Sequence, residues 1–178
     1  MHGSVRPART TVSAVAERAG VQRHTVYRHF PTDADLFGAC SVHYFTLHPL
    51  PDLEAWRAID DSRQRLEHGL DELYAYYART EAMFTNVFRD LELVDALRPT
   101  VVPLEQYLAR AVDILLRGRA ARGRSRRLLA AALHHVLNFH TWRSLTADAR
   151  ITRADAVHLA GAFVDAAASG SPPSSRER

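Results

Sequence analysis

The sequence predicts an all-α fold, with an N-terminal helix-turn-helix module followed by a larger helical domain. Apolar residues recur at three- and four-residue intervals through nearly all 178 positions, and no stretch of strand length alternates strictly between apolar and polar. Residues 11–30, TVSAVAERAGVQRHTVYRHF, set two short helical patterns on either side of Gly20. Prolines near positions 50 and 100 divide the remainder into pieces of helix length.

The first helix carries the stripe Val12, Val15, Ala16 and Ala19, an i, i+3, i+4, i+7 pattern. Alanine at position 16 lets a second helix cross closely, and Gly20 ends the first where a left-handed backbone is required. Val21, Val26 and Phe30 anchor the second helix, which leaves Arg23, His24, Thr25, Tyr27, Arg28 and His29 free to face a groove. Pro31 breaks it. Thr32, Asp33 and Asp35 then open a third helix over 33–48, with a hydroxyl cap and acids in the first turn.

The segment TLHPLPDL, residues 46–53, separates a module at 1–48 from a helical domain at 49–170. Residues 54–97 read as two or three helices whose clearest stripe is Leu66, Leu70, Leu73 and Tyr77. Pro99 and Pro103 frame the start of a helix ending near Gly118, with Leu104, Leu108, Ala111, Val112 and Leu115 on one side. The run 117–127 holds six arginines and two glycines in eleven residues and reads as an exposed loop. Single helices over 125–145 and 153–168 follow, and 171–178 is expected to be a disordered tail.

Charge is concentrated at one end. Residues 1–32 contain five arginines against one acid, Glu17, so this segment carries +4 while the whole chain carries +3. All of the basic residues are Arg and none is Lys, a coding bias that by itself says nothing of nucleic acid. One cysteine, Cys40, excludes an intramolecular disulfide and a thiolate metal site, and it reads as a core thiol in a reducing compartment. The longest apolar runs, such as 128–133, are too short to span a bilayer and no leader is recognisable, so a cytoplasmic protein is expected.

The string TTVSAVAERAGVQRHTVYRHFPTDADLF resembles the TetR family of bacterial one-component repressors: a threonine-opened helix, an AGV turn, a TVYRHF recognition helix and a capped helix after it. Beyond Phe37 the likeness is one of layout. The resemblance implies that Thr11, Tyr27 and His29 bind phosphate. It implies too that Arg23, His24 and Thr25 face bases, with Ser13 reaching from the preceding helix. It also implies a homodimer that binds an operator in double-stranded DNA and releases it when an unidentified small-molecule effector binds. Members of the family carry a full apolar helix before the threonine pair, where this chain has only MHGSVRPAR. A loosened helix-turn-helix is expected from that, and the alternative reading is a truncated dimerisation or co-regulator protein that has lost DNA binding. Asp33 stands where many relatives have a lysine, and an acid there repels phosphate.

In the larger domain Tyr74, Tyr77, Met83, Phe84, Phe88, Tyr107, His134, Asn138 and Trp142 either line a ligand cavity between helices or form ordinary core. His134 and Asn138 stand out as polar positions one turn apart on an otherwise apolar helix. Leu129, Leu133, Val136, Leu137, Leu159 and Phe163 offer more apolar surface than one bundle face needs, which predicts a four-helix interface between two copies. The ten histidines contain no HxxxH or HExxH pair, and no cofactor or metal is expected. No nucleophile elbow, phosphate loop or paired-carboxylate arrangement points to an enzyme.

Overall fold

The computed structural model describes residues 12–169. Thr11, the segment before it and the tail 171–178 lie outside the described residues, and with them the expectations about a leading helix and a disordered end. Among the described residues there are nine α-helices and no strand. They are α1 Val12–Ala19, α2 Arg23–His29, α3 Asp33–Leu47, α4 Leu53–Arg57, α5 Ser62–Asp90, α6 Arg98–Leu116, α7 Gly123–Val136, α8 Phe139–Arg143 and α9 Arg153–Ser169. The chain forms two compact units, one of Met1–Leu50 with Ala78–Gln106, the other of Pro51–Tyr77 with Tyr107–Arg178.

In the first unit α1 ends in a paired turn. Gly20 takes φ +65°, its amide donates to the Glu17 carbonyl at 3.1 Å, and the Val21 amide donates to the Ala16 carbonyl at 3.0 Å. These two bonds satisfy carbonyls that the helix end would otherwise leave open, and a glycine adopts the left-handed backbone without a steric penalty. Ala16, Val26 and Leu36 form the small core, with Val15, Phe30 and Cys40 packed against it. Partial burial pushes the Cys40 thiol above its usual range. Two positions of the predicted stripes turn outward. Val21, expected as an anchor, belongs to the turn and is 42% exposed, and Ala19 is exposed as well.

Thr32 caps α3 as predicted. Its hydroxyl accepts from the Asp35 amide at 3.2 Å, and the Asp35 carboxylate accepts from the Thr32 amide at 3.0 Å. The unit also holds the end of α5, a 3₁₀ turn at Asp95–Leu97 and the start of α6. The Thr100 hydroxyl donates to the Leu97 carbonyl at 2.6 Å, and Ser41 of α3 donates to the Thr100 carbonyl at 3.3 Å.

In the second unit Trp56 of α4 is fully buried, and its indole N–H donates to Glu72 at 2.6 Å. Gly69 of α5 lies under the ring, where an added Cβ would come within 3.0 Å of it, so glycine here makes room for the tryptophan. Asp61 caps α5 by accepting from the amides of Arg63 and Gln64. The core takes Leu66, Leu70 and Leu73 from α5, Leu115 from α6, Leu129 and Leu133 from α7 and Val164 from α9.

The single helix expected over 125–145 is two helices. α7 stops at Val136, and Asn138 caps α8 by accepting from the His140 amide at 2.8 Å. The break leaves two carbonyls without helical partners, and α5 supplies them: Tyr74 donates to Val136 at 2.9 Å and Tyr77 to Leu137 at 2.8 Å. The arginine run also departs from an exposed loop, since Gly123 onward belongs to α7. Arg119 is held by the Leu115 and Ser62 carbonyls and lies 3.6 Å from Asp165. Arg65 of α5, only 4% exposed, donates to the carbonyls of Asp60 and Arg117 and so ties down the chain after α6.

Candidate functional site

Helix α2 is seven residues long, and its orientation is set by burial of Val26. At about 100° per residue, one buried position turns the opposite arc outward. Arg23, His24, Tyr27, Arg28 and His29 are exposed and Thr25 is half-buried, so the structure brings six of the predicted DNA-contact residues onto one short helix. No acid lies in its first turn, and Arg28 and His29 occupy its last. Ser13 falls within α1, but its side chain, like all of Thr11, lies outside the described residues. The paired turn at Gly20, the Val26 contact and the capped α3 together hold this helix against a support. Exposed guanidinium, imidazole and hydroxyl donors on a held helix of this width can enter a major groove, contacting phosphates from the flanks and base edges from the centre.

The candidate ligand residues separate. Met83 and Phe84 line an apolar cleft in the first unit, together with Val87 of α5, Phe37, Ser41, Tyr44 and Phe45 of α3, Leu97, and Thr100, Val101 and Leu104 of α6. Counted to its open mouth the cleft spans about 430 Å³, but only about 30 Å³ of it is free for the centre of a water-sized sphere, enough for a few waters. Phe88 stacks on Phe84 with centroids 5.9 Å apart and does not line the cleft.

The remaining candidates lie in the second unit. Tyr74 and Tyr77 serve the carbonyls at the α7 to α8 break, and burial raises both phenols well above the usual range. Trp142 is buried against Tyr77 and Phe139. Tyr107 is buried edge-on to Trp56 with its hydroxyl unpartnered. Burial and then the nearby Glu72 carboxylate keep Tyr107 protonated. His134 is exposed on α7, and Asn138 is a cap, so the two do not form a polar pair within one helix.

None of the α3 and α6 residues of the cleft is among the ligand residues expected from the sequence. The overlooked signal was α3 itself, whose apolar residues are spread round the helix and not gathered in one stripe, so that Leu36 and Cys40 serve the small core while Phe37 and Phe45 line the cleft. Nor does the sequence point to a more polar groove between α5 and α9, about 610 Å³ counted to its open mouth and lined by Arg63, Glu67, His158 and Asp165 among others. Among the described residues no group of three or more His, Cys, Asp or Glu could hold a metal ion, and no helix is long and apolar enough to cross a membrane.

A held, basic second helix behind a glycine turn is the arrangement of a helix-turn-helix module. Residues 7–40 match the family model described as bacterial regulatory proteins, tetR family. The match covers the helix-turn-helix module and the start of α3, which is therefore similar to the DNA-binding module of that family. A solved structure similar to it is that of a TetR transcriptional regulator from Rhodococcus sp. RHA1, 21% identical over 93% of this chain and 89% of that one, with a TM-score of 0.45. No curated protein matches the chain at a significant level.

Proposed function

We propose that the chain is a cytoplasmic, ligand-responsive repressor that binds an operator as a homodimer and leaves it when a small molecule occupies the cleft. Residues 1–48 would hold DNA, 49–170 would supply most of the ligand-binding and dimerisation surface, and 171–178 would be a tail. Thr11, Tyr27 and His29 would hold phosphates, while Arg23, His24 and Thr25 would face bases in successive major grooves of a near-palindromic site.

The observation that carries this reading is the double use of α3. Leu36 and Cys40 pack with Ala16 and Val26 under the recognition helix, while Phe37, Ser41, Tyr44 and Phe45 line the cleft. The cleft interior holds only a few waters, so a larger occupant must displace its walls, and one wall is the helix that supports the reading head. A ligand that favours the widened form then lowers DNA affinity by differential binding to two conformations.

Selection from random double-stranded oligonucleotides tests the reading. It predicts enrichment of a two-fold symmetric site. Recovery of no sequence by a folded dimer would instead make the chain a dimerisation or co-regulator protein.

A further inference from the structure

We propose that the effector of the α3, α5 and α6 cleft is an uncharged, predominantly apolar compound of aromatic breadth, held by burial of its surface and by no ion pair. This rests on the reading of the chain as ligand-responsive and goes further by fixing the chemical class of the ligand.

Among the described residues that line the cleft there is no Asp, Glu, Arg, Lys or His. Its walls are rings and aliphatic chains, with Phe37 and Phe45 from α3, Met83, Phe84 and Val87 from α5, and Val101 and Leu104 from α6. The few polar groups are already engaged. Ser41 donates to the Thr100 carbonyl and Thr100 to the Leu97 carbonyl. Tyr44 packs its ring on His48 at 4.5 Å, and its phenol, neutral like any tyrosine near pH 7, is pushed further up by burial.

A charged ligand would therefore lose its water and gain no counter-charge, whereas an apolar one loses little and gains contact. Met83 supplies an adaptable wall, since an unbranched thioether side chain repacks around differently shaped guests. An entering guest parts the wall at the Ser41 to Thr100 hydrogen bond, the polar tie between α3 and α6 at this site.

Two fluorescent probes with the same aromatic frame decide the matter: neutral phenylnaphthylamine and anionic anilinonaphthalene sulfonate, titrated into the full chain. Saturable binding of the neutral probe, at least about tenfold tighter than the anion, is expected. Val87→Phe and, separately, Val101→Phe fill the cleft and should each weaken the neutral probe by a similar factor with helicity unchanged. Equal affinity for the two probes, or neutral-probe binding untouched in whichever filled variant remains helical, overturns the inference. Binding to the selected operator, measured on the same samples, separates the two ideas. DNA binding without probe binding defeats the ligand class alone, and probe binding without DNA binding defeats the regulator reading alone.

Discussion

Tyr77 donates its hydroxyl hydrogen to the backbone carbonyl of Leu137 at 2.8 Å, and Tyr74, one turn earlier on α5, does the same for Val136 at 2.9 Å. The two phenols sit where α7 gives way to α8, and they complete carbonyls that the break frees from helical pairing. A sequence pattern that reads as one helix is thus held as two, by residues some sixty positions away.

Removing either hydroxyl leaves a buried carbonyl unpaired, so Tyr74→Phe and Tyr77→Phe should each cost about 1 to 3 kcal/mol. Urea titration followed by circular dichroism reads this as a lower midpoint at constant slope. Unchanged midpoints in both variants would mean that the break does not depend on the phenols.

The same burial predicts an alkaline limit. Tyr74, Tyr77 and Tyr107 are held protonated, chiefly by desolvation, with folded pKa values above the usual phenolic one. Below about pH 10 both the folded and the unfolded states keep these protons, so the three groups give no pH dependence. Above it the unfolded chain loses protons that the folded chain retains, and stability falls as pH rises towards the folded values. Tyrosinate absorbance from these residues should therefore appear together with loss of helicity. Titration of all six tyrosines in a chain that is still helical would contradict the burial.

The predicted dimer face needs a correction before it can be tested. Leu129, Leu133, Val136 and Leu137 are buried within their own unit, whereas Leu159 and Phe163 of α9 stand 51% and 50% exposed. Leu133→Arg should consequently unfold the second unit, since an unpaired buried charge costs on the order of several kcal/mol. Leu159→Arg with Phe163→Arg should instead leave the helices intact and turn a dimer into a monomer by light scattering. A folded double variant that still dimerises would move the interface elsewhere.

Local signals carried the N-terminal module. Gly20, the apolar positions 16 and 26, Pro31 and the Thr32 cap act within a turn or two of themselves, so spacing alone locates α1, α2 and the start of α3. The larger domain was less legible, because its decisive contacts are distant in sequence. Asn138 looks like a polar intruder in a helix until its role as a cap is seen, and Tyr74 and Tyr77 look like cavity walls until their carbonyl partners are known. Arg119 reads as part of a solvated run, yet its ties to Ser62 and Asp165 are set by tertiary packing. The cleft is hidden in the sequence because one helix, α3, serves both the small core and the cleft, and its spacing marks only the first.

The central claim is that α2 reads DNA, and the most direct measurement compares Arg23→Ala with Tyr27→Phe and His29→Ala in gel-shift titrations. The selected operator and its single-base variants serve as the DNA. Phosphate-holding residues should weaken binding to every sequence alike. A base-reading Arg23 should cost about 1 to 3 kcal/mol on the operator and much less on variants altered at one base pair, so that preference at that pair relaxes. Equal losses on all sequences for Arg23→Ala, or no loss for any of the three substitutions, would contradict the account.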